Sequence, residues 1–248
     1  MAPARSRREA VDGLLVDLRA VFETRLRSLV VYESHGTLGE APSSGEDELH
    51  HGDHVHTLVV VDELRHADLA RMAPLSAGWA KRGLAVPLTL GQAELSRSLD
   101  AFPLEFSQMI ARHAVVYGED PFAGLSVTDA DLRRACETEV RSHLLHLRQG
   151  FIQTDGNPGA LARLVAASAI PLRALLVNIA RLHGVDARTP DQLLHFAGER
   201  LGLPAESLRP VVGHRNSERF NDLDVGAFFP GYLQAVERLA ALVDEWAR

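Results

Sequence analysis

Residues 29–64 read LVVYESHGTLGEAPSSGEDELHHGDHVHTLVVVDEL. Two short apolar runs rich in valine, residues 29–32 and 57–61, flank a polar loop. Runs of this length and β-branched content, bounded by polar and turn residues, predict buried strands. The loop holds Glu33, Ser34, Gly36, Gly39, Gly45 and Asp53, with His50, His51, His54 and His56. A rigid strand pair presenting a polar loop is a common way to build a site, because the scaffold fixes what the loop displays. The plainer alternative is a solvated excursion with no role.

Outward from this pair, residues 7–26 carry Leu14, Leu15, Leu18, Val21 and Phe22 on one helical stripe. Residues 65–81 predict a second helix with Leu69, Met72, Leu75 and Trp79 on its apolar face, ended by Gly83. Residues 86–90 predict a third strand, with Pro87 restricting it to an edge position or a strand start. Residues 91–98 and 103–113 are helical, and 114–117 form a fourth short strand before a Gly-Glu-Asp-Pro turn. Beyond 125 the pattern is helical throughout. Thr128 caps a long helix whose buried face is marked by Leu132, Val140, Leu144, Leu147 and Phe151. Residues 160–182 are apolar on most sides, as the centre of a bundle requires, with a kink expected at Pro171. Thr189-Pro190-Asp191-Gln192 opens another helix, and a last one runs over about residues 229–246. The order α-β-β-α-β-α-β followed by helices alone predicts an α+β fold in two lobes: a mixed sheet with flanking helices over residues 1–124, then an all-α domain over 125–248.

The bulk numbers set bounds. The chain has 248 residues, 46% hydrophobic and 24% charged, which is ordinary globular composition. A net charge of −7 argues against nucleic acid as the partner, since duplex-binding domains carry a basic face. A single cysteine, Cys136, excludes an internal disulfide framework and a multi-cysteine zinc site. No secretory signal and no membrane-spanning run is expected, so the expectation is a soluble, cytoplasmic protein.

Three groups of residues could carry chemistry. His54 and His56 point to one side of an extended segment, and with Asp53 they are a donor set for Zn²⁺ or another transition metal. Ser34 half-matches a nucleophile elbow. Tyr32 stands where that motif has its first glycine, and residues 37–42 do not begin a helix, so a hydrolase is excluded. The carboxylates Glu33, Glu46, Asp47, Glu48, Asp53, Asp62 and Glu63 form the third group. Two-metal phosphoryl transfer needs paired acids at adjacent inward strand positions, but here that alternating pair is His54 and His56. Asp62 and Glu63 follow the second strand and read as solvated turn residues. Weaker clusters are residues 100–106, which read as a helix start, and His214-Arg215-Asn216 with Arg219, which read as a surface loop or a phosphate contact.

The chain resembles the nucleotidyltransferase superfamily of the DNA-polymerase-β type. The likeness lies in the Val30-Val31-Tyr32-Glu33-Ser34 turn, the apolar strand entered through His54-Val55-His56, and the later order of elements. Residues 102–106, 113–121 and 132–151 resemble a bacterial nucleotidyltransferase-like subgroup, and the likeness covers residues 10–152. It implies that Ser34 and Gly36 approach a nucleoside triphosphate, and that an active member holds Mg²⁺ on two carboxylates. This chain departs from that pattern. Glu33 stands at the glycine position, His54 and His56 align with the metal carboxylates, and residues 86–90 lack the third acid. Without two acids the charge stabilisation behind phosphoryl transfer is lost. The expectation is a nucleotidyltransferase-like protein with degenerate motifs that acts by binding a triphosphate or a protein partner. One alternative is an active Mg²⁺-dependent enzyme using a shifted acid set, Asp53 and Glu33. The other is a metal-binding protein working through the histidine-rich loop 50–56.

Overall fold

A computed structural model of the chain describes residues 4–32, 54–214, 220 and 223–246. It divides into two compact units, with the boundary between Val127 and Thr128.

The first unit is a four-stranded mixed sheet with helices on both faces. Its elements are α1 (Ala4–Phe22), β1 (Leu26–Tyr32), β2 (His56–Val61), α2 (His66–Met72), α3 (Ser76–Lys81), β3 (Leu88–Gly91), α4 (Gln92–Ser98), α5 (Pro103–Ala111) and β4 (His113–Gly118). The strand order is β3-β2-β1-β4. β1 runs antiparallel to both β2 and β4, while β2 and β3 are parallel. The two valine-rich runs are therefore the central strands. Leu29, Val30 and Leu58 through Val61 are all at most 2% exposed, which is why those runs read as continuous apolar stretches with no alternation. One sheet face packs on Leu14, Leu18, Val21 and Phe22 of α1. The other packs on Leu95 and Leu99 at α4 and on Phe106 and Met109 of α5.

Several boundaries differ from the sequence reading. α1 stops at Phe22, because Glu23 takes a left-handed φ of 54° and turns the chain into a 3₁₀ turn over Glu23–Arg25. β1 consequently starts at Leu26, earlier than expected. The expected helix 65–81 is two helices joined by a 3₁₀ turn over Ala73–Leu75. Pro74 lacks the N–H that a continuous α-helix would need there. The first of the two, α2, is anchored by Asp68, whose carboxylate is 3% exposed, accepts two hydrogen bonds from Arg25 and caps the Arg65 N–H. The Arg25 hydrogen bonds hold that carboxyl below its usual range. β3 is an edge strand and Pro87 lies just before it, as expected. Its first turn onward is fixed by Glu94, which accepts the Gly91 N–H at 2.6 Å.

The second unit is helical: α6 (Asp129–Gln153), α7 (Pro158–Leu182), α8 (Pro190–Glu199), α9 (Ala205–Val212) and α10 (Val225–Glu245). The caps follow the sequence signals. Thr128 Oγ1 accepts the Asp131 N–H at 3.1 Å, and Thr189 and Gln192 cap each other reciprocally. α7 is the core helix, with Val165, Leu172, Leu175, Leu176, Ile179 and Ala180 fully buried. It continues through Pro171. It is also long and apolar enough, by length and composition, to cross a membrane, with half of its most apolar stretch buried in the bundle. That corrects the expectation that no segment reaches this level: a helix surrounded by others is apolar on most sides. On α6, Leu132, Val140 and Leu147 are buried as expected, and Cys136 and His143 complete the face. Phe151 is 46% exposed, a correction; its ring stacks on Phe229 at 4.8 Å. α10 begins at Val225, four residues before the expected 229, because Asp224 caps the Ala227 N–H.

The bundle core holds one polar chain. Ser168 Oγ donates to the Val165 carbonyl at 2.6 Å, so its lone pair faces the Tyr232 hydroxyl at 2.9 Å. Tyr232 has a single proton, which goes to Ser168, so its oxygen accepts from His143 Nε2 at 3.1 Å. His143 is thereby set as the Nε2–H tautomer. Burial lowers its pKa to about 4, with a smaller push from His146, and burial raises that of Tyr232. Cys136 is 0% exposed and its thiol is pushed up to about 12 by burial, so it is an inert core group.

Candidate functional site

The candidate site is the end of the sheet where β1 finishes and β2 begins. Backbone pairing sets three rings in a row across it: Tyr32 opposes His56 on β2 and His113 on β4. The Tyr32 and His56 rings lie 5.9 Å apart at 43°. The chain approaching β2 is already extended, because Val55 N–H donates to Gly83 O at 2.8 Å and Ala85 N–H donates to Val55 O at 3.1 Å. That extension makes the period two, so His54 and His56 share a side, as the sequence predicted. His54 is exposed and His56 half-buried. Burial, then the nearby His54, lowers the His56 pKa, so its imidazole is neutral at pH 7. Burial raises the pKa of Tyr32.

His113 is held firmly. Its Nδ1 faces the Met109 and Ile110 carbonyls at 3.0 and 3.2 Å, and its Nε2 faces Asp120 Oδ1 at 3.1 Å. Asp120 Oδ1 also accepts the Phe122 N–H at 2.9 Å, and Phe122 meets the His113 ring edge-on at 4.9 Å. No local sequence signal marks this neighbour. His113 reads locally as a helix end, and only the non-local pairing of β4 with β1 brings it beside Tyr32.

The other sequence candidates fall as follows. Glu33, Ser34, Gly36, Asp53, His50 and His51 lie outside the described residues. Asp62 and Glu63 sit past the far end of β2, paired with Arg27 and Arg65 at the surface, which is the solvated reading. β3 carries no acid, and Glu94 beyond it is engaged in capping Gly91. Residues 100–106 are the start of α5, with Phe106 buried and Phe102 exposed. Among the described residues no three His, Cys, Asp or Glu side chains cluster to hold a metal ion.

The donor chemistry decides what the site suits. At the start of β2 the alternating pair offers imidazole nitrogens. Mg²⁺ demands hard oxygen ligands in near-octahedral array, so these residues do not fit it. Neutral imidazoles do suit zinc, copper or nickel, but two of them make at most a partial site.

This arrangement is a nucleotidyltransferase-like α+β fold with a helical C-terminal region. The chain is similar to spectinomycin adenyltransferase from Enterococcus faecialis, whose structure was solved with ATP and spectinomycin. The two superpose with a TM-score of 0.50 over 95% of this chain and 98% of the other, at 13% sequence identity. No protein-family profile matches the sequence, and no curated relative does.

Proposed function

We propose that this protein is a nucleotidyltransferase-like protein with a degenerate catalytic site, which acts by binding and performs little or no nucleotidyl transfer. The observation that carries the reading is the pair His54 and His56 at the start of β2. The polymerase-β-type family that the sequence resembles is expected to hold Mg²⁺ against the triphosphate on two inward carboxylates aligned with His54 and His56. Nitrogen donors there leave the developing charge without its main stabiliser. The resemblance aligns Glu33 with the family's glycine, and a carboxylate at that alignment position would oppose the charge of a phosphate. The neighbour was solved with ATP, so a nucleoside triphosphate is the first ligand to test, and spectinomycin the second. The net charge of −7 favours a small molecule or a protein over nucleic acid, and the site of action is proposed to be the cytoplasm.

The test restores the missing chemistry. The triple variant Glu33→Gly, His54→Asp, His56→Asp is expected to gain Mg²⁺-dependent triphosphate binding that the parent lacks. A folded triple variant with no such gain overturns the assignment of these positions to the catalytic motif. If instead the parent binds a triphosphate with Mg²⁺ and Asp53→Ala abolishes that binding, the shifted acid set of Asp53 and Glu33 is in use.

A second reading is favoured by the neutral, half-buried His56 beside His54. With Asp53 these residues would bind Zn²⁺ or a related ion, and stoichiometric metal in untagged protein, lost in His54→Ala/His56→Ala, would support it.

A further inference from the structure

In the first unit, α2, α3 and the chain leading into β3 enclose a cavity of about 240 Å³ that is open on one side. Met72, Trp79 and Pro87 in its lining are buried, while Leu69, Val86 and Leu88 are exposed and form its rim. Three of the ten large apolar side chains that are exposed among the described residues therefore meet at this one place. Single exposed apolar residues are ordinary, but a group of them around a concavity marks a binding surface. Met72 and Trp79 pack with α1 on one side of the sheet, whereas Tyr32 packs with α4 and α5 on the other.

The lining has no charged residue. Its polar hydrogens are already committed. Ser76 Oγ donates to Ala73 O at 2.8 Å, Thr89 Oγ1 to Pro87 O at 3.3 Å, and the Trp79 indole N–H to Asp17 at 2.9 Å. An ionic ligand would give up water here and gain no partner, so the cavity suits a neutral apolar one. Size narrows the class. An apolar cavity of about 150 Å³ takes up one benzene ring, so about 240 Å³ has room for one or two rings. A strand of another protein does not fit beside it, because β3 offers no continuous edge. It has four residues, Pro87 before it has no N–H, and Glu94 takes the Gly91 N–H at 2.6 Å.

We propose that this cavity is a binding site for a small neutral apolar compound of one or two rings, seated on Met72 and Trp79 inside the rim of Leu69, Val86 and Leu88. The site is independent of the function proposed for the end of the sheet where β1 finishes.

The experiment uses the full chain labelled with ¹³C at the methionine methyl groups, of which there are three. Met72→Leu identifies the Met72 signal, and Met109, in the core on the other side of the sheet, is the internal control. The probe is indole, with indole-3-carboxylate as its charged counterpart. The expected result is a saturable shift of the Met72 methyl with indole, no shift of Met109, and a response to the carboxylate at least ten times weaker. Ala73→Phe, which places a ring in the cavity from its own wall, should abolish the Met72 response. A Met72 signal unmoved up to the solubility limit of indole overturns the proposal even if the variant fails to fold. So does a Met109 signal that moves with it, an equal response to the carboxylate, or a folded Ala73→Phe that responds like wild type.

Discussion

Gly118→Ala tests the strand pairing that places His113 beside Tyr32. Gly118 ends β4 at φ 77°, and a Cβ built on it would lie 1.8 Å from the Arg27 carbonyl oxygen and 2.9 Å from its carbon. Alanine therefore meets two costs. A left-handed φ costs a non-glycine residue about 1–2 kcal/mol. The clash is with backbone, so β4 must move away from β1. That breaks the Ser28–Gly118 pairing and the Ser28 hydroxyl bond to Glu119 O at 2.6 Å, which adds about 1–2 kcal/mol in lost hydrogen bonding. The sum is about 3 kcal/mol. Gly124 is the control: its φ is 75° and a Cβ there would meet nothing within 4 Å, so Gly124→Ala carries the strain alone, about 1–2 kcal/mol. Urea unfolding in a Trp246→Phe background makes Trp79, buried in the first unit, the sole tryptophan reporter. Gly118→Ala should lose about 1–2 kcal/mol more than Gly124→Ala. Equal losses would mean that β4 does not approach β1 as described, and the row of three rings would fall with it.

Other predictions follow from single residues. Unfolded, His143 takes up a proton near its ordinary 6.5; folded, it does so only near 4. Its contribution is therefore complete above pH 6.5 and falls as pH drops toward 4, by about 3 kcal/mol in total. Replacing His143 with Phe should flatten that slope in pH-dependent melting. Glu23→Gly relieves the left-handed strain at the end of α1 and should stabilise the first unit by about 0.5–1 kcal/mol in denaturant titration, since glycine's greater unfolded freedom offsets part of the gain. A lower midpoint would show that the Glu23 side chain holds something more valuable than relaxed backbone.

The residues explain why some of this was legible in advance. β1 and β2 are buried on both faces, so their apolar runs stand out, and helix starts at Thr128 and Thr189 announce themselves through caps within three residues. Local signals failed where the deciding partner is distant or conformational. Arg27 interrupts the apolar run of β1 because it reaches to Asp62, which hid the start of the strand. Glu23 gives no hint of a left-handed turn that glycine would have marked. At the candidate site, the pair His54 and His56 was visible from alternation alone. His113 was not, because nothing near it in sequence indicates a neighbour 81 positions back, at Tyr32 (113 − 32). The Ser168–Tyr232–His143 chain was hidden likewise: each member is an unremarkable helical residue until three helices meet.

The central claim, a nucleotidyltransferase-like fold without working metal carboxylates, is tested most directly by calorimetric titration of the untagged protein with ATP, CTP, GTP and UTP, each with and without Mg²⁺. The account predicts that Mg²⁺ adds nothing to triphosphate affinity. Micromolar binding that appears only with Mg²⁺ would contradict it, because an acid set would then be present in space at the start of β2.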